Sequence, residues 1–307
     1  MRFELTLLGT NSALPAHGRF PSAQALQVQG NIYLADCGEG AQMRMRAFGI
    51  RESRIGQVFI SHLHGDHIYG LIGWLTSQSL NNRTAPLDIF APHGLEEIIR
   101  VQLRYAGPLT FPLAFHTIDP DTHGRIFEDK LIEVWTLPLK HRIPTCGFLF
   151  REKERPRNIR PECIEAYDIP YQAIPGIKGG ADFRPPNGRL IPNAELTVAP
   201  PRPHSYAYCS DTAYHEPLIP LIEGVDLLYH ESTFCEAQSA QAAETGHSTA
   251  RQAANIARQA GVGRLLLGHY SSRYQDLSPF LEEARAVFPN TELGVDGGVW
   301  EVGGQRI

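Results

Sequence analysis

The chain has 307 residues, 42% hydrophobic and 20% charged, with a formal net charge of −5. That length buries a large core in one large domain or two smaller ones, and the composition is ordinary for a soluble globular protein. No stretch approaches the roughly 18 apolar residues that span a bilayer, and the net negative charge gives no support to wholesale nucleic-acid binding, so any RNA contact needs a local basic surface.

The start, Met1-Arg2-Phe3-Glu4-Leu5-Thr6, carries an acid and reaches Gly9 before any long apolar run, which reads as a first strand and not a signal peptide. A cytosolic chain is therefore expected. Strand patterns follow at Ala25 to Val28, Ile32 to Ala35 and Val58 to Ile60, the last running straight into Ser61-His62-Leu63-His64. Leu71 to Leu80 reads as a helix, Leu87 to Phe90 as a strand, and Gly94 to Tyr105 as a helix with Leu95, Ile98, Ile99 and Leu103 on helical spacing. Phe111 to Ile118 and Leu131 to Leu137 return to strand patterns. From residue 151 to 201 the chain turns rich in Pro, Gly and Arg and loses clean periodicity, which marks an insertion or arm, with a plain surface loop as the simpler reading. Order resumes with strands at Ser205 to Cys209, Val225 to Tyr229 and Arg264 to Leu267, and helices over Ser248 to Ala260 and Pro279 to Val287. Strands alternating with helices predict an α/β layered domain.

The five cysteines, Cys37, Cys146, Cys163, Cys209 and Cys235, are odd in number, scattered and free of any C-x-x-C pair. Neither a disulfide framework nor a cysteine zinc knuckle fits, and buried free thiols are expected. Basic residues are mostly Arg, with Lys only at Lys130, Lys140, Lys153 and Lys178. Arg suits bidentate phosphate contacts and surface ion pairs alike.

The chemistry concentrates in His62-Leu63-His64-Gly65-Asp66-His67. Along an extended chain residues 62 and 64 face one side, so two imidazoles can point at one metal while Asp66 and His67, past Gly65, address a second. Imidazole and carboxylate donors suit zinc. Three distant positions share one local grammar, an apolar strand followed at once by a candidate ligand: His141 after Leu131 to Leu139, Asp211 after Tyr206 to Ser210, and His269 after Leu265 to Gly268. Strand C-terminal ends gather ligands at the edge of a layered α/β sheet. There is no H-E-x-x-H and no Walker-type phosphate loop.

The H-x-H-x-D-H run with later His, Asp and His resembles the dinuclear metallo-β-lactamase superfamily. Over nearly the whole length the chain resembles the tRNase Z (ribonuclease Z) family more closely. The matching segments are Leu8-Gly9-Thr10, Asp36 to Gly40, Ser61 to His67, Ser210-Asp211-Thr212, His230 to Thr233, Gly246 to Thr249 and His269 to Tyr274, where this chain carries Ser232 at a position that is usually Ala. The resemblance implies a four-layer αββα sandwich over residues 1–307, with residues 151–201 as an inserted tRNA-binding arm. It implies two zinc ions per chain: His62, His64 and His141 on one, Asp66, His67 and His269 on the other, and Asp211 bridging. Such a pair braces an in-line displacement at phosphorus. Asp66 would orient the attacking water or take its proton, and His247 would protonate the leaving 3′-oxygen with Glu231 holding its ring.

Arg273 would contact phosphate or brace the metal loop; His230 carries no assigned role. Lys178, Gly180, Asn187 and Gly188 match the family arm's landmarks loosely, without its usual Gly-Pro before the lysine. The implied substrate is precursor tRNA, cut to free a 3′ trailer and leave a 3′-hydroxyl, by a cytoplasmic homodimer. A hydrolase of small diesters, lactones or β-lactams, or a metal-bound RNA-binding protein without catalysis, are the competing readings.

Overall fold

The structure, a computed structural model, describes residues 3–186 and 188–304; Met1, Arg2, Asn187 and residues 305–307 lie outside the described residues. The described residues fall into two compact units, one built from the segments up to Arg151 and from His204 onward, the other from Glu152–Pro203.

The larger unit holds two seven-stranded sheets. In the first, the order is Val299–Glu301, Phe3–Gly9, Ala23–Val28, Asn31–Cys37, Ile55–Phe59, Leu87–Pro92 and Leu113–Ile118. In the second it is Thr291–Leu293, Leu265–Gly268, Leu227–Glu231, Ser205–Cys209, Cys146–Glu152, Ile132–Pro138 and Arg125–Glu128. Because successive side chains alternate across a strand, each sheet has two apolar faces to cover. Phe3, Leu5, Leu7, Tyr33 and Phe59 of the first sheet meet Phe148, Phe150, Tyr206, Tyr208 and Leu266 of the second in one buried core. Leu149, Ala207 and Cys209 point the other way, into a core shared with the helices Ala250–Gln259 and Ser278–Arg285. Leu34, Val58 and Ile89 likewise pack against the helices Gly65–Leu80 and Leu95–Ala106. Helix, sheet, sheet and helix make the expected αββα sandwich.

Boundaries differ from expectation where ligands interrupt the apolar pattern. The helix expected from Leu71 begins at Gly65, so Asp66 and His67 occupy its first turn and not a loop. The helix expected from Ser248 begins at Ala250, where Thr249 and Gln252 close a capping box. All five cysteines are free and buried.

The smaller unit has its own core of Cys163, Ile169, Ile177, Ile191 and Leu196. Asn158–Ile159 pairs antiparallel with Thr197–Val198 and ties the two ends of the segment together. Between them lie short helices, Pro161–Ala166, Ile174–Lys178 and Asn193–Leu196. Asn193 Nδ2 donates to the carbonyls of Ile177 at 2.7 Å and Ala181 at 2.8 Å, replacing regular structure with side-chain bonds.

Candidate metal centre

The strands Asn31–Cys37, Ile55–Phe59, Leu87–Pro92 and Leu113–Ile118 run parallel, as do Ser205–Cys209, Leu227–Glu231, Leu265–Gly268 and Thr291–Leu293. Asp36, His62, Asp211, Glu231 and His269 all stand at or just past the C-terminal ends of such strands. The seven expected ligands come together there in two groups.

In the first group His62 Nε2 lies 3.0 Å from His64 Nδ1, and His141 Nε2 lies 3.4 Å from that same atom. Asp211 Oδ2 stands 3.5 Å from His62 Nε2 and 3.7 Å from His141 Nε2. In the second, Asp66 Oδ2 is 3.5 Å from His67 Nε2 and 3.6 Å from His269 Nε2. Asp211 Oδ1 completes it, at 3.3 Å from His67 Nε2 and 3.1 Å from His269 Nε2. Asp211 thus turns one oxygen to each group.

These spacings fit a cation inside each group. Four donors placed tetrahedrally at 2.0–2.1 Å from a zinc ion stand roughly 3.3–3.4 Å apart. The Nε2 atoms of His67 and His269 are buried without a hydrogen-bond partner among the described residues, a cost that a bound cation removes.

The outer ring nitrogens explain why the lone pairs face inward. His141 Nδ1 donates to the Gly246 carbonyl at 2.8 Å, which leaves Nε2 as the free acceptor. His67 Nδ1 donates to Asp36 Oδ2 at 2.7 Å. Ser61 Oγ donates to the same carboxylate at 2.8 Å and accepts from His62 Nδ1 at 3.0 Å. His269 Nδ1 donates to Thr233 Oγ1 at 2.9 Å, and that hydroxyl in turn donates to Glu231 Oε2 at 2.8 Å. Such partners set the tautomer and the ring plane.

Asp36 also accepts from the Ser61 amide at 2.8 Å and the Tyr208 hydroxyl at 2.6 Å. No role was assigned to Asp36 or Thr233 from sequence. Asp36 ends an apolar strand, Ile32 to Ala35, in the same grammar as Asp211 and His269, and that signal could have found it.

Two of these residues sit in the left-handed backbone region, Asp36 at φ 55° and His269 at φ 59°. A side chain held there stores on the order of 1–3 kcal/mol, tolerated only where surrounding structure enforces it. For Asp36 the enforcement is visible in the loop that follows. A Cβ on Gly38 would meet the Asp66 carbonyl at 2.2 Å, and one on Gly70 would meet the Gly38 carbonyl at 2.1 Å. The loop and the ligand-bearing helix touch backbone to backbone.

Electrostatics follow from burial and neighbours. Burial holds the pKa of His62, His64 and His141 down, in the neutral form that coordinates metal. Burial works against the charge on Asp211, but the imidazoles of His269, His67 and His62 outweigh it and keep the carboxyl ionised. Burial also disfavours a charged His67, yet Asp211, Asp66 and Asp36 together push its pKa well up. The cluster is a set of carboxylates in need of positive charge.

His247 borders both groups at the surface of an open cavity that Asp66, Asp211 and Tyr69 also line. Its Nδ1 donates to Glu231 Oε1 at 2.8 Å. Burial lowers the pKa of the ring, but the Glu231 carboxylate reverses this and lifts it to about 9. Fully buried Glu231 also accepts from the amides of Thr212, Thr233 and Ser248, so its position is fixed from several sides.

The remaining expected residues stand apart from the ligand groups. Arg273 donates to Gln241 Oε1 at 2.8 Å and lies over the Phe234 ring, which packs in turn on His247. His230 is buried, its Nδ1 donating to the Glu231 carbonyl at 2.7 Å. Lys178 ends a helix of the smaller unit and Gly180 follows at φ 102°. Among the described residues no helix is long and apolar enough to cross a membrane.

Comparison with known proteins places the fold and the chain in a family. A family model described as "Beta-lactamase superfamily domain" matches residues 172–270, and one described as "Anti-Pycsar protein Apyc1" matches residues 3–143. The solved structure of the human short-form tRNase Z superposes with a TM-score of 0.70 at 26% identity, over 97% of this chain and 99% of that one. A Ribonuclease Z of Bacteroides fragilis is 45% identical over 95% of this chain and 96% of its own length. A Ribonuclease Z of Parabacteroides distasonis is 47% identical over 96% of this chain and 97% of its own. At that identity and coverage, the chain belongs to the Ribonuclease Z family.

Proposed function

We propose that this chain is an endoribonuclease that hydrolyses the phosphodiester bond between a tRNA and its 3′ trailer, leaving a 3′-hydroxyl on the tRNA, with two zinc ions per chain. The observation that carries the reading is Asp211, one carboxylate with an oxygen toward each of two ligand groups. His62, His64 and His141 would hold one ion, Asp66, His67 and His269 the other, with Asp211 shared. Bound there, a divalent pair supplies Lewis acidity to the phosphoryl oxygens and lowers the pKa of water.

The protein groups divide the remaining work. Asp66, whose Oδ2 accepts from the Ala13 amide at 2.8 Å and faces the ligand group, orients the attacking water and accepts its proton through its other carboxylate oxygen. His247, protonated at neutral pH through Glu231, gives its Nε2 proton to the departing 3′-oxygen. Glu231 fixes the ring's orientation and charge and is a positioning residue. The competing reading as a binding protein leaves this buried acid–imidazole pair beside the ligands without a task.

The segment 151–201 we assign as the arm that grips the body of tRNA. The compact unit Glu152–Pro203 supports this, with eight Lys or Arg against seven Asp or Glu in a chain that is otherwise acidic. Contacts to phosphates by Lys178, and close backbone approach at Gly180, would give affinity without reading sequence. A cytoplasmic homodimer completes the proposal.

Turnover of a precursor tRNA compared with that of bis(p-nitrophenyl) phosphate tests it. Cleavage of the RNA at the trailer junction is expected. Rapid hydrolysis of the small diester with the RNA left intact would overturn the tRNA reading.

A further inference from the structure

One group in the cavity beside the ligands has no part in the chemistry above. Tyr69 is 70% exposed, and among the described residues its ring has no aromatic partner and its hydroxyl no hydrogen bond. It stands on the helix Gly65–Leu80, four residues beyond Gly65 and so one turn above it on the same face. A Cβ on Gly65 would meet Tyr69 Cε2 at 2.0 Å. The ring therefore lies flush on the backbone between His64 and Asp66, a ligand of each group. Gly65 makes room for it, and the opposite face of the ring is left to solvent.

The cavity that Tyr69 borders measures about 370 Å³ and is also lined by Glu39, Arg142, Asp211 and His247. A neighbouring cavity of about 310 Å³, lined by Lys140 and Tyr214, shares His247 and Arg142 but not Tyr69. His247 and Arg142 thus stand where two cavities meet, and Arg142 is exposed with no carboxylate partner among the described residues. A strand crossing the site has one nucleoside on each side of the reacting phosphate. If His247 protonates the 3′-oxygen, the upstream nucleoside belongs at that junction, and the cavity with the tyrosine receives the downstream one.

We propose that Tyr69 is a stacking platform for the first nucleobase of the trailer, with Arg142 contacting the phosphate that precedes it. Every base has a π-face, so an exposed ring of this kind holds a trailer of any sequence, as a processing enzyme requires. The proposal rests on the reading of the chain as a tRNA 3′-processing enzyme and names a residue that sets its KM.

The test uses the intact protein with a precursor tRNA and with the same RNA carrying an abasic first trailer nucleotide. Tyr69→Ala is expected to raise KM for the intact precursor on the order of tenfold to a hundredfold, with kcat changed little and metal content unchanged. Tyr69→Trp should restore the wild-type KM. The abasic RNA should raise the wild-type KM by the same factor, and on that RNA Tyr69→Ala should add nothing. Unchanged KM in Tyr69→Ala, or multiplying effects of the variant and the abasic nucleotide, would overturn the stack. Sensitivity only to an abasic nucleotide at the tRNA's own 3′ end would overturn the assignment to the trailer side. A wild type that leaves both RNAs uncut defeats the tRNA reading itself, before any variant is compared.

Discussion

The metal centre and the segment Glu152–Pro203 solve the problem of holding functional side chains in opposite ways. At the centre, His62, His67, His141 and His269 each spend their outer ring nitrogen on a protein acceptor, and three of those acceptors, Ser61, Asp36 and Thr233, are themselves buried and bonded. In the smaller unit, helices of four to six residues enclose five buried apolar side chains, and most charged groups face solvent. The first arrangement holds each ring from a second direction; the second presents charge on a small scaffold. Substitutions at the centre should therefore act on metal occupancy and kcat, and those in the smaller unit on KM and its salt dependence.

The largest break is expected from Asp211→Ala. Removing the carboxylate shared by both ligand groups should lower kcat/KM by on the order of 10³-fold or more and reduce the metal measured on the purified protein. An Asp211→Ala enzyme with full metal content and near wild-type rate would contradict the shared-ligand assignment. Next, Glu231→Gln should reduce kcat by about 10²–10⁴-fold. The pH profile sharpens this. The donor must be protonated, so activity falls as pH rises through the His247 pKa, which Glu231 raises. Without the carboxylate that pKa drops, and the basic limb of kcat should move to lower pH in the variant. A limb that stays in place would remove His247 from the role of donor.

A smaller effect is expected from Asp36→Asn, about 10–100-fold in metal affinity, read by competition with a chelator. The amide keeps the shape but no longer accepts from Ser61, Tyr208 and His67 together. The smallest effect belongs to the other region. Lys178→Ala should raise KM for precursor tRNA a few-fold and flatten its salt dependence by about one counterion, with kcat and metal content unchanged. A fall in kcat without a change in KM would place Lys178 outside tRNA binding.

The same contrast governs what could be read from sequence. The candidate ligands His62, His141, Asp211 and His269 were legible because each follows an apolar strand closely, so local pattern and final place coincide, and His64, Asp66 and His67 lie within five residues of the first of them. Asp36 obeys that pattern but works through residues far along the chain, Ser61 and Tyr208, and only packing brings them to it. The start of the helix at Gly65 was hidden because its first turn carries Asp66 and His67, chosen for the ligand groups and not for an apolar stripe. In Glu152–Pro203 the short helices fall below the length at which periodicity speaks. Their core comes from residues spread over Cys163 to Leu196, so the segment read as irregular though it encloses a core of its own.

Elemental analysis of the purified, active protein is the most direct test of the central claim that two cations sit between these ligand groups. Two equivalents of divalent metal per chain are expected, with activity lost on strong chelation and regained when metal returns. Full activity in a protein free of metal and indifferent to chelators would contradict the account.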